Sequence, residues 1–139
     1  MIAALGALTA LALMSPAFGN GATIPVKYTC DGAGFSPPLR WTAPPRGTRS
    51  FTLTVIDPDA PDGRFVHWTA SAIPASSRGL ATGAHAPREG RNSAGETGWT
   101  PPCPPAGPVH RYVFTLTAVG AGGRALARAR LVGRYARVP

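Results

Sequence analysis

Four ionisable side chains stand where strands are expected to begin or end. Asp57 and Asp59 are separated only by Pro58, His67 follows Asp59 by eight residues, and His110 comes directly after a proline-rich segment. In extended backbone, residues i and i+2 point to the same side, and a proline biases the residue before it towards the extended form. Both carboxylates are therefore expected to face one cavity shared with the two imidazoles. Close carboxylates raise one another's proton affinity, and nearby acids favour imidazolium. Such a set can hold an anion when some of its members are protonated. Taken singly, each residue has a plainer explanation: Asp-Pro-Asp is a common turn, and a lone histidine often only satisfies a backbone carbonyl. Two Asp and two His could also bind zinc or manganese. Yet no HExxH or GxSxG motif and no clear nucleophile accompany them. The expectation is a binding protein, without enzyme activity, metal or cofactor.

The elements that must position these groups follow from hydrophobic periodicity. Phe51, Leu53 and Val55 alternate with threonines up to Ile56, which predicts a strand ending at the Asp-Pro-Asp turn. Phe65–Ile73 resumes with Val, Trp and Thr, close enough to pair with it as an antiparallel neighbour. Arg111–Val119 is the strongest strand, with Tyr112, Phe114, Leu116 and Ala118 on one face. Shorter extended pieces are expected at Thr23–Thr29 and Leu39–Trp41, and Arg78–Gly98 reads as a long loop. Trp99–Pro108 carries five prolines, so it must be extended and poor in backbone donors. Beyond Gly120–Gly123, Ala125, Ala129, Val132 and Ala136 recur at helical spacing, which predicts an amphipathic C-terminal helix with a basic face.

Gly (17) and Pro (16) together make nearly a quarter of the 139 residues, which excludes a coiled coil or helical bundle. The fold class expected is mostly β, with short strands and punctuated turns. Fourteen basic residues against six acidic give +8, and 13 of the 14 are Arg. No basic run exists, so the arginines read as scattered surface charge, with no nucleic-acid partner and at most peripheral membrane contact. Met1–Met14 carries no charge and falls short of the roughly 20 residues of a spanning helix. It reads either as an apolar leader, a candidate signal peptide with a small-x-small pattern at Ala10-Leu11-Ala12, or as a buried first strand. Cys30 and Cys103 lie 73 residues apart and make no CxxC motif. They are either a disulfide, suited to a periplasmic or secreted protein, or two buried thiols. Without export the protein would be cytoplasmic.

Several strings in fixed order resemble the phosphatidylethanolamine-binding protein family: DPDAP at 57–61, His67-Trp68, CPPAG at 103–107, and His110-Arg111-Tyr112. The flanks Ser15–Phe18, Ile24-Pro25, Tyr28–Gly32 and Ser36–Trp41 are similar to its bacterial and archaeal Raf-kinase-inhibitor-like branch, and Leu131–Tyr135 resembles that branch's closing helix. The resemblance spans about residues 15–137, so 1–14 is set apart as leader and 15–139 as the domain. It implies an antiparallel β-sandwich with a C-terminal helix and a small anion pocket at one end. Asp57, Asp59, His67, Pro105, His110 and Tyr112 would line the pocket, with Phe65 as an apolar wall. The implied function is non-catalytic binding of a small anion or phospholipid head group, phosphate- or phosphoethanolamine-like. The alternative it implies is an interaction module inhibiting a kinase or protease. The sequence departs from the family pattern at Trp99-Thr100-Pro101-Pro102, where a Tyr-Gly-Gly-like lead is usual, and at Gly120–Gly123, which replaces a longer, partly helical stretch.

Overall fold

The computed structural model describes residues 10–139. Among these residues, two antiparallel sheets enclose one core. The smaller sheet orders β1 (Leu13–Met14), β2 (Leu39–Trp41) and β5 (Gly79–Leu80) as β1-β2-β5. The larger contains β3 (Ser50–Asp57), β4 (Phe65–Pro74), β6 (Arg88–Glu89), β7 (His110–Val119) and β8 (Ala125–Tyr135), ordered β6-β4-β3-β7-β8. Trp41 of β2 meets Phe51 of β3 at 5.3 Å between ring centroids, and Phe18 meets Phe114 at 6.0 Å. These contacts join the layers.

The alternation read from the sequence sets the inward faces. Phe51, Leu53, Val55 and Asp57 of β3 are buried, as are His110, Tyr112, Phe114, Leu116 and Ala118 of β7. Period-two alternation carries each inward face to its strand's end, so Asp57 and His110 occupy the last inward positions at one end of the core. In β4 the alternation breaks. Val55 pairs with Trp68 and Ile56 with Val66, leaving His67 as an extra residue in a β-bulge. The bulge lets His67 and Trp68, adjacent in sequence, both turn inward, and both are buried.

The expected C-terminal helix is instead strand β8, antiparallel to β7 from Tyr135 opposite His110 to Ala125 opposite Val119. Its alanines and arginines are good helix formers, and Ala125, Ala129, Val132 and Ala136 fit helical spacing. The pattern that governs is period two: Ala129, Leu131, Gly133 and Tyr135 are buried, while Arg128, Arg130 and Arg134 are exposed. A ladder along the whole of β7 outweighs intrinsic propensity. Thr23–Thr29 is also not a strand. It contributes one bridge, Thr23 to Arg134, and then a 3-10 turn at Val26–Tyr28. The long loop over 78–98 contains the two-residue strands β5 and β6.

Residues 1–9 of the expected leader lie outside the described residues. Its remainder is part of the fold: Leu11 and Leu13 are buried, β1 pairs with β2, and the Thr42 amide donates to the Ala12 carbonyl at 3.1 Å. A cut after Ala12 would remove Leu11 from the core. Cys30 and Cys103 are joined in a disulfide, and the Cys30 amide donates to the Pro102 carbonyl at 3.0 Å. Together they tie the proline-rich segment to the turn at Thr29–Gly32.

Two expectations follow for stability. A Cβ on Gly133 would stand 2.5 Å from Ile24 Cγ1, and Ile24 is fully buried. Gly133→Ala should therefore cost about 1–3 kcal/mol by overpacking, measured as a lower urea midpoint; an unchanged midpoint would contradict this packing. Opening the Cys30–Cys103 link should lower the unfolding free energy by up to about 4 kcal/mol on the loop-entropy account. Urea unfolding with and without reductant measures that loss.

Candidate functional site

A cavity of about 350 Å³ opens at the end of the core where β3 and β7 place Asp57 and His110. His67 and Phe65 reach it from β4, Tyr112 from β7, and Pro105 with the neighbouring prolines from the 101–105 segment. Cys103 also borders it, so the disulfide anchors one wall directly.

Asp57 and His110 form a buried pair. His110 Nδ1 lies 2.6 Å from Asp57 Oδ2, and Asp57 Oδ1 accepts the Asp59 backbone N–H at 2.7 Å. A carboxylate only accepts, so the Nδ1 of His110 carries the proton of that bond. His67 Nδ1 lies 2.8 Å from the Thr100 carbonyl, which assigns it a proton likewise. The Thr100 amide in turn donates to the His67 carbonyl at 3.0 Å, clamping the bulge to the proline-rich segment. Among the described residues, neither histidine's Nε2 makes a hydrogen bond within the chain. Burial pushes the His67 imidazole below its ordinary value of 6.5, more than the Thr100 carbonyl and Asp57 raise it. His67 is thus held as neutral imidazole with a bare Nε2, an acceptor.

Tyr112 supplies a different group. Its ring is buried edge-on to His67, with centroids 5.2 Å apart, and its hydroxyl is buried without a partner among the described residues. Burial, reinforced by the charge of Asp57, pushes the phenol well above its usual range. It stays a hydroxyl at any physiological pH. An unsatisfied buried hydroxyl costs about 1–3 kcal/mol relative to a satisfied one, so a ligand oxygen or nitrogen that reaches it gains a good contact. Phe65 also packs on His67, with centroids 4.7 Å apart.

The structure brings together Asp57, Phe65, His67, Pro105, His110 and Tyr112. Asp59 does not join them. The extended backbone stops at Asp57 and turns at Pro58-Asp59, so the i, i+2 rule no longer applies. Asp59 instead receives Arg111: Nη2 donates to Oδ1 at 2.8 Å, and Nε and the backbone N–H both donate to Oδ2 at 2.9 Å. The Arg111 hydrogen bonds hold the Asp59 carboxyl at about 2, opposite to the mutual raising expected for two close acids. Arg111 was legible in principle, because alternation on β7 sends it to the face opposite His110. The Thr100 carbonyl was not, since a backbone acceptor leaves no trace in residue type. Among the described residues no three His, Cys, Asp or Glu side chains gather as metal ligands, and no helix is long and apolar enough to cross a membrane.

Comparison with known proteins agrees with this fold. The family model described as phosphatidylethanolamine-binding protein matches residues 14–135. A UPF0098 protein of Aquifex aeolicus is 36% identical over 90% of this chain and 88% of its own length. LppC of Mycobacterium tuberculosis, whose name carries the word lipoprotein, is 44% identical over 76% of this chain and 54% of its own. Among solved structures, the phosphatidylethanolamine-binding protein homolog of Chlamydia trachomatis superposes with a TM-score of 0.87 at 37% identity, covering 94% of this chain and 99% of that one. YbcL of Escherichia coli, a member of the same family, gives 0.84 at 28% identity over 92% and 99%. With the family model spanning nearly all the described strands and the four relatives named above lying in bacteria, the chain belongs to the phosphatidylethanolamine-binding protein family, in its bacterial branch.

Proposed function

We propose that the protein binds a small phosphate-type anion or phospholipid head group in the Asp57–His110 cavity, without turnover. The observation that carries this reading is the buried, unpartnered Tyr112 hydroxyl beside two histidines whose Nδ1 positions are already committed. The cavity therefore offers one hydroxyl donor and two Nε2 atoms, in an apolar setting where few polar contacts count strongly. A phosphate monoester oxygen suits Tyr112, and a P–OH group or a proton taken up from solvent suits a bare Nε2. Prolines lack N–H groups, so the 101–105 segment adds shape and dryness rather than a backbone cradle for the anion. Asp57 has both oxygens engaged, which fits it to orient His110 more than to touch the ligand. The disulfide and a relative named for a lipoprotein favour an oxidising compartment, periplasmic or secreted.

His110→Gln keeps a side chain able to donate to Asp57 yet loses the imidazole. It should weaken phosphoethanolamine binding about tenfold or more, the worth of a charge-assisted hydrogen bond, while the protein stays folded. Calorimetry reads the affinity, and equal values in both proteins would count against the cavity. Sulfate, whose charge is constant across the histidine range, tests the proton. Because burial lowers the His67 value, imidazolium forms there only below the ordinary 6.5. Sulfate affinity should therefore rise as pH falls through and below that value, and His67→Gln should flatten the low-pH rise. A flat wild-type profile would exclude imidazolium-assisted binding.

A further inference from the structure

A second recess shares no lining residue with the cavity. Trp99 is 6.4 Å from His67 between ring centroids, and it also borders a groove of about 190 Å³ with Phe35, His85 and Glu89. Glu89, on the edge strand β6, keeps only 11% of its side chain exposed. Its Oε2 accepts the Trp68 indole N–H at 2.7 Å, and its Oε1 lies 3.1 Å from Nδ1 of His85, which is 87% exposed. On the other side stands Gly98, where a Cβ would approach both carboxylate oxygens to 3.4 Å. The glycine leaves the carboxylate uncrowded.

An indole N–H needs an acceptor, and an uncharged one would serve. A desolvated carboxylate is costly without a cation. The chain has arginines to spare and uses them elsewhere: Asp31 pairs with Arg137 and Asp59 with Arg111. None pairs with Glu89 among the described residues. Alternation sends Arg88 to the opposite face of β6, and Arg91 gives its Nη1 to the Gly95 carbonyl at 3.1 Å. The result is a nearly buried carboxylate whose charged neighbour is at most one exposed imidazole, facing a groove walled by two aromatic rings. Phe35 is half exposed there.

We propose that this groove is a binding site for a small organic cation, which pairs with Glu89 and lies against the rings of Phe35 and Trp99. Carboxylate plus aromatic face is the chemistry of guanidinium and alkylammonium recognition. Guanidinium suits it better, because a planar, weakly hydrated ion stacks on rings as well as donating to a carboxylate. The site is separate from the anion cavity in residues and in sign of charge. It does not depend on what that cavity binds.

The test is a titration of the whole, oxidised protein with ethylguanidinium, followed through backbone amide and indole N–H resonances. Ethylammonium is the second cation, and ethylurea is the neutral isostere of the first. Saturable shifts are expected at Glu89, Gly98, Trp99 and the Trp68 indole, tighter for ethylguanidinium than for ethylammonium. Ethylurea should bind about tenfold weaker or worse. Glu89→Gln retains an oxygen for the Trp68 indole and should lose about as much affinity. Phe35→Ala, at a surface position, should lose roughly threefold with the fold intact, and it decides the matter should Glu89→Gln fail to fold. Tighter binding of ethylammonium would overturn the preference for a guanidinium. Equal binding of ethylurea, shifts that never saturate, or shifts confined to residues around His110 would overturn the site itself.

Discussion

The contact on which the functional end of this molecule depends is the buried hydrogen bond between Asp57 and His110. A carboxylate taken out of water is tolerated only when its lone pairs are occupied. Here the imidazole takes one oxygen, and the turn amide of Asp59 takes the other. The pair ties the last inward residue of β3 to the first of β7, so the mouth of the sandwich is fixed by a polar contact where the apolar core has run out. The turn that supplies the second hydrogen bond also swings Asp59 outward to Arg111. One acid of the Asp-Pro-Asp string therefore serves the cavity and the other holds its rim.

Much of this was legible in sequence. The inward faces of β3 and β7 follow from simple alternation, and alternation delivers Asp57, His110 and Tyr112 to one side without further information. At β8 two periods compete: Ala125, Ala129, Val132 and Ala136 fit helical spacing, while burial follows period two. Alanine and arginine favour a helix, but Arg128, Arg130 and Arg134 fall on one parity and Ala129, Leu131, Gly133 and Tyr135 on the other. Gly133, which would weaken a helix, is the place where the Ile24 side chain packs on the strand, and that need arises only from tertiary packing. The bulge at His67 was invisible for a related reason. Strict alternation must put one of His67 and Trp68 outside, and only the register against β3 reveals that both turn in.

The cavity wall shows how a donor-poor sequence can still shape a polar site. Four of the five residues at 101–105 are proline, so the segment makes few hydrogen bonds of its own. It is held from outside. The disulfide and the Cys30 amide fix its middle, and the reciprocal Thr100–His67 contacts fix its start. A wall secured in this way needs no interior polar atoms. With Phe65 and Tyr112, it completes the lining around the buried His67.

That burial constrains what the cavity can accept. Both histidines spend their Nδ1 protons on fixed acceptors, so a neutral His67 offers a lone pair and Tyr112 offers a hydroxyl. A bare anion meets only one assured donor in such a site. Favourable charge recognition then requires a proton that comes with the guest or is drawn from solvent as the guest arrives. An anion at Nε2 would raise the imidazole's proton affinity just as burial lowers it. Occupancy and protonation of His67 are thus thermodynamically linked, and each must favour the other by the same free energy. Because burial lowers the histidine in the free protein, an anion that binds there draws in a proton the empty cavity lacks.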